Sequence, residues 1–127
     1  MRVKRRKRIL SELAPRARLY LREVSALLEK TIESKFKKAV EATGARCLKF
    51  VSPGFVGVPD RIILLPGGTV FFAELKAPKK TERKRQEYVQ GILRNMGFTV
   101  FSSVNTDEKI LEVTHRCREV VRNVKRF

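Results

Sequence analysis

Three side chains in one short stretch have the types and spacing that chemistry needs: Asp60, Glu74 and Lys76. Residues two apart in a strand share a face, so Glu74 and Lys76 point one way and Leu75 the other. If Pro66, Gly67 and Gly68 form a three-residue loop, Leu65 pairs with Thr69, and counting outward sets Asp60 opposite Glu74. Side chains so placed have Cβ atoms about 4.5–5.5 Å apart. A two-residue loop would instead oppose Asp60 to Leu75. Facing carboxylates repel unless something positive sits between them, and Mg²⁺ characteristically uses one or two carboxylates together with water and phosphate oxygens. Such an ion polarises a phosphoryl oxygen and makes water a usable nucleophile near neutral pH, while a lysine beside it stabilises developing charge. The parts are those of phosphodiester hydrolysis. Taken singly they mean less: a Glu-x-Lys on a strand is commonly an exposed ion pair, and an Asp after Val-Pro is commonly a turn residue.

The charge of the chain names a partner. Its 127 residues fit one domain, and 29 Lys and Arg against 13 Asp and Glu leave a net charge of +16. That excess calls for a polyanion, either nucleic acid or an anionic membrane. No apolar run approaches the roughly 20 residues that span a bilayer, and no apolar segment follows the basic cluster 1–8 as a signal peptide requires. Nucleic acid is therefore the expected partner, no membrane association is expected, and the expected location is the cytoplasm. Cys47 and Cys117 lie far apart and read as buried free thiols of a reducing compartment. With His115 the single histidine, a zinc site is not expected, and any metal should be a hard cation held by oxygen.

The elements that must position these residues are legible as a mixed α/β domain. Residues 1–25 form a basic arm, partly helical after Pro15, in which Arg5 and Arg6 either grip phosphates or belong to a solvated tail. A single domain is expected over 26–127. A helix over about 27–43 carries Leu28, Ile32, Phe36, Ala39 and Val40 at helical spacing and stops at Gly44. Strands follow at 45–51, 61–65 and 69–75, with apolar residues on both faces, so the sheet should be covered on both sides. After a basic loop containing Lys79 and Lys80, Thr81 caps a helix over about 82–96 whose stripe is Val89, Ile92, Leu93 and Met96. A fourth strand spans 98–103. Thr106, Asp107 and Glu108 open a last helix buried through Ile110, Val113, Cys117, Val120, Val121 and Val124. The order is helix, three strands, helix, strand, helix.

Over roughly residues 29–105 the chain resembles the PD-(D/E)XK nuclease superfamily, and within it the virus-type replication–repair nuclease (VRR-NUC) domains. The likeness is carried by Ile32-Glu33, Gly44, Lys49-Phe50 and Gly57-Val58-Pro59-Asp60-Arg61. It continues through Pro66-Gly67-Gly68, Glu74-Leu75-Lys76-Ala77-Pro78, and Gln86 on a helix ending at Gly97. The resemblance implies a restriction-endonuclease-like mixed sheet flanked by helices. It implies that Asp60 and Glu74 ligate Mg²⁺, with Mn²⁺ able to substitute, and that Lys76 assists the nucleophile. Glu33 would complete the metal site, with Glu29 as the alternative. Gln86 would support the site, against the plainer reading of a helix-edge amide bonding locally. Lys49 and Arg61 would meet phosphate or balance the carboxylates, and Lys79 and Lys80 would meet DNA. Phe55 would stack on a base or pack in the core. Stand-alone relatives imply a phage or prokaryotic homodimer in DNA repair that cuts branched DNA such as four-way (Holliday) junctions, leaving 5′-phosphate and 3′-hydroxyl ends.

Overall fold

A computed structural model describes residues 14–77 and 82–124. Helix α1 (Pro15–Glu41) begins with proline at its first turn, where the missing N–H is not needed and φ is already helical. It runs unbroken across the division expected at 25/26. Phe36 and Val40, near its C-terminal end, are its buried residues, whereas Leu19, Leu21, Leu27 and Leu28 upstream are exposed. The helix stops where the Thr43 hydroxyl donates to the Val40 carbonyl at 2.6 Å and Gly44 takes φ 100°, a left-handed value that glycine adopts without strain.

The sheet consists of β1 (Arg46–Lys49), β2 (Arg61–Leu64), β3 (Val70–Leu75) and β4 (Thr99–Val104), in spatial order β1-β2-β3-β4. The first three are antiparallel neighbours, and β4 runs parallel to β3. A parallel neighbour demands a crossover, supplied by helix α2 (Lys84–Asn95). Between β2 and β3 the chain turns through a single 3₁₀ turn, Pro66–Gly68, and the Leu65 N–H donates to the Thr69 carbonyl at 2.9 Å. The loop is therefore the three-residue one. With Arg61 paired to Ala73, the next position outward sets Asp60 against Glu74.

One face of the sheet packs against α1 and the final helix α3 (Asp107–Val124), with Phe36, Val40, Cys47, Ile63, Ala73 and Val113 in one core cluster. The Thr106 hydroxyl accepts the Lys109 N–H at 3.2 Å and so caps α3 as its sequence predicts. Cys47 and Cys117 are buried and unbridged, and burial pushes both thiols up to about 11, which keeps them protonated and inert.

The opposite face is covered unevenly, which corrects the expectation of two full layers. Helix α2 lies over β4, and Phe72 packs between Phe50 and Phe98 with ring centroids 5.6 and 5.3 Å away. Leu48 on β1 and Leu64 on β2 remain 45% and 39% exposed, because among the described residues no helix packs over that end. Met96, expected on the buried stripe of α2, is exposed. The stripe falls one position differently and buries Val89 with Gln90, whose Oε1 accepts from the Ser102 hydroxyl. The helix starts at Lys84, and the cap expected at Thr81 lies outside the described residues. No described helix is long and apolar enough to cross a membrane.

Candidate active site

Asp60 and Glu74 are brought together by the hairpin, and each carboxylate is fixed by the other's strand. Glu74 Oε2 accepts the backbone N–H of Asp60 at 3.1 Å, and Asp60 Oδ2 accepts that of Leu75 at 3.0 Å. This reciprocal pair locks both side chains to one end of the hairpin. Glu74 is 1% exposed. Its other oxygen, Oε1, accepts from the Gln86 amide at 2.8 Å and lies 3.2 Å from Lys76 Nζ. Burial above all, and then the neighbouring Asp60 charge, push the Glu74 carboxyl up to about 7, while Lys76 pulls the other way. An isolated dyad of this kind is under electrostatic tension that a cation would relieve.

Gln86 has a second bond that fixes its orientation. Its Oε1 accepts the Arg83 N–H at 3.1 Å, closing the first turn of α2, so its Nε2 is the end that faces Glu74. The one side chain thus bonds both within its own helix turn and to the Glu74 carboxylate.

Beside Glu74 the parallel ladder is irregular. Ala73 pairs with Phe101 and Leu75 with Val104, so β4 spends one residue more than β3 over the same span. Ser103, with φ 49°, occupies that bulge, and its N–H and hydroxyl both donate to Glu82 Oε1, at 2.6 and 3.1 Å. The ladder then resumes with the Lys76 N–H donating to the Val104 carbonyl at 3.1 Å. Glu82 and Ser103 were not singled out from sequence, and a lone acid after a basic loop offers no signal that would have done so.

Among the other predicted residues that are described, Arg61 and Glu33 form a pair of their own. Arg61 is 5% exposed on the face packed against α1, where strand alternation puts it opposite to Asp60. Its guanidinium stands 3.9 Å from Glu33, so it balances Glu33 rather than the dyad. Glu33 is about one third exposed on α1, and the described residues hold no group of three His, Cys, Asp or Glu arranged for a metal. Glu29 is half-buried one turn earlier on α1. Lys49 is exposed on β1. Arg5, Arg6, Lys79 and Lys80 lie outside the described residues, as do Lys125 and Arg126 at the other end.

The loop entering the site is seated on α2. Gly57 has φ 97°, and a Cβ there would stand 2.8 Å from Arg85 Cγ and 3.2 Å from the Arg85 carbonyl. Strain and contact act together, so Gly57→Ala should destabilise the fold by roughly 1–3 kcal/mol. Urea unfolding of the two proteins measures it, and an unchanged midpoint would show that the loop is not seated this way.

A mixed four-stranded sheet between helices, with an acid at the start of one strand facing an E-x-K on the next, defines a restriction-endonuclease-like domain. No family model matches the chain. It is similar to the "Putative nuclease p44" of Acyrthosiphon pisum secondary endosymbiont phage 1, with 42% identity over 64 residues, covering 49% of this chain and 69% of that protein. Its fold matches a solved VRR_NUC domain with a TM-score of 0.63 at 24% identity, covering 68% of this chain and 94% of the other. The chain belongs to the same family as this phage relative, and its fold is that of a VRR-NUC domain.

Proposed function

We propose that this chain is a Mg²⁺-dependent DNA endonuclease that selects branched DNA, four-way junctions among them, and acts as a homodimer. The observation that carries the reading is Glu74, a carboxylate buried against Asp60 with Lys76 on its free edge. The donor set suits a hard cation: two opposed carboxylates satisfy what Mg²⁺ asks of a protein, leaving its other positions to water and phosphate. Asp60 and Glu74 would hold it, and Mn²⁺ should substitute. When bound, the ion supplies Lewis acidity toward the phosphoryl group and lowers the pKa of water.

The chain's own residues do the rest. Lys76 Nζ, anchored 3.2 Å from Glu74, is placed to orient the attacking water and to offset charge that grows on the phosphate. Gln86 keeps Glu74 from turning, a supporting role for an otherwise rotatable acid. The net charge of +16 supplies sequence-independent affinity for the DNA backbone, with Lys49 exposed on the sheet edge as one contributor. A two-fold junction requires two cuts, which suits a symmetric pair of copies. The relative's printed name, a nuclease, is consistent with this activity.

The test is product mapping on matched four-way, three-way and linear DNA with Mg²⁺ or EDTA. Paired cuts near the branch with 5′-phosphate ends, abolished by EDTA, are expected. Equal cutting of linear DNA or RNA would remove the structural selectivity, and no metal-dependent product on any of them would remove the enzyme.

A further inference from the structure

Next to the carboxylates lies a cluster that the hydrolytic centre does not use. Arg85 on α2 places its guanidinium carbon 5.0 Å from the ring centroid of Phe55 and 5.3 Å from that of Tyr88. Its Nε donates to the Val56 carbonyl at 2.9 Å, which ties the Phe55 loop to the helix. The absence of a side chain at Gly57 is what lets that loop come so close. Both rings nevertheless stay open to solvent, Phe55 at 40% and Tyr88 at 61%. The sequence left Phe55 between core packing and base contact; core packing is now excluded.

Held planar groups on a basic surface are what stacking on a nucleobase requires, since every base presents a π-face and arginine adds a cation–π term. The cluster is attached to the dyad from both sides. Phe55 lies on the loop that runs into Asp60, and Arg85 immediately precedes Gln86, whose amide holds Glu74. We infer that Phe55, Arg85 and Tyr88 form a stacking platform for one unpaired nucleobase beside the phosphate to be cut. This deepens the proposed function and rests on Asp60 and Glu74 being the cutting centre. Within a continuous duplex both faces of a base are covered by its neighbours, so the platform has nothing to bind; at a branch, bulge or flap a base is free to turn out. It therefore favours DNA with an unstacked nucleotide at the scissile position over regular duplex, without reading sequence.

The experiment is equilibrium binding in EDTA of three versions of one branched oligonucleotide: fully paired, with one extra thymidine at the branch, and with an abasic site in place of that thymidine. The native chain should prefer the extra base to the abasic site by about tenfold. Phe55→Leu and Tyr88→Leu keep apolar bulk and lose the ring; each should erase most of that preference and leave binding to the abasic and paired forms within about twofold. Tyr88, the more exposed of the two, covers the case in which the Phe55 variant fails to fold. An equal loss on all three DNAs, or no loss on any, overturns the platform. Cleavage with Mg²⁺ is scored separately: if no DNA is cut, the nuclease reading fails while the preference for the base, measured without metal, still stands or falls by itself.

Discussion

Glu74→Gln and Lys76→Ala should each lower single-turnover cleavage roughly 10²–10³-fold or more, while junction affinity in EDTA stays within a few-fold of the native value. Glu74 is the one side chain touched by the Asp60 backbone, Gln86 and Lys76 together, so the centre is organised around it. Glutamine at 74 keeps the size but removes the charge, and it sets an amide N–H against donors that now find a carboxylate. Lys76→Arg should not rescue, because a planar guanidinium cannot take the place of a compact ammonium 13% exposed beside a buried acid. Gln86→Ala should fall in between, at roughly 10–100-fold, because it loosens a ligand without deleting it. DNA affinity survives all of these because it is distributed over the charge excess. Fluorescence anisotropy and gel-resolved cleavage of the same labelled junction separate the two quantities. Undiminished cutting by the Glu74 or Lys76 variant would place the chemistry elsewhere.

The second large effect is on stability and has a definite sign. The Glu74 carboxyl stands at about 7 in the fold against an ordinary 4.5. Between those values the folded chain holds a proton that the unfolded chain has released. Linkage then makes folding weaken as pH rises through this window, by at most roughly 1.4 kcal/mol per pH unit from this one group. In EDTA, Tm should therefore fall by several degrees or more from pH 5 to pH 8 relative to Glu74→Gln, whose corresponding side chain does not titrate. Mg²⁺ added at pH 8 should restore the loss in the native chain and not in the variant, because a cation favours the ionised acid and binds only the folded state. Matching pH profiles for the two proteins, or indifference to Mg²⁺, would contradict both the tension in the dyad and its relief by metal. Differential scanning calorimetry at matched ionic strength is the measurement.

How far the sequence could be read depends on which interactions are local. Asp60 opposite Glu74 followed from counting across Pro66-Gly67-Gly68, because a hairpin loop determines its own register and the strand period does the rest. The cap at Thr106 and the stop near Gly44 were legible for the same reason. What depended on distant packing was not. Glu33 was implied as a ligand by the family resemblance alone, and its approach to within 3.9 Å of Arg61 joins a helix to a strand far away in sequence, which no local spacing rule foretells. The extra residue in β4 at Ser103 has no signature in Thr99–Val104, where two adjacent serines mark neither face. Gln90 is buried although polar because β4 offers it a partner, the Ser102 hydroxyl donating to its Oε1 while accepting from Arg94 at 2.6 Å, whereas Met96 near the helix end is exposed. Arg85 looked like one basic residue among 29, and only the seating of Gly57 beside it gives it a role.

The amide of Gln86 closes the opening turn of α2 with one end and grips Glu74 with the other. Fraying of that turn and disarming of the carboxylate are consequently a single event, so the competent fraction of molecules can be no larger than the fraction in which the turn is wound. Warming the chain should silence it before the sheet melts, and anything that docks on the start of α2 gains a handle on the carboxylate without touching it.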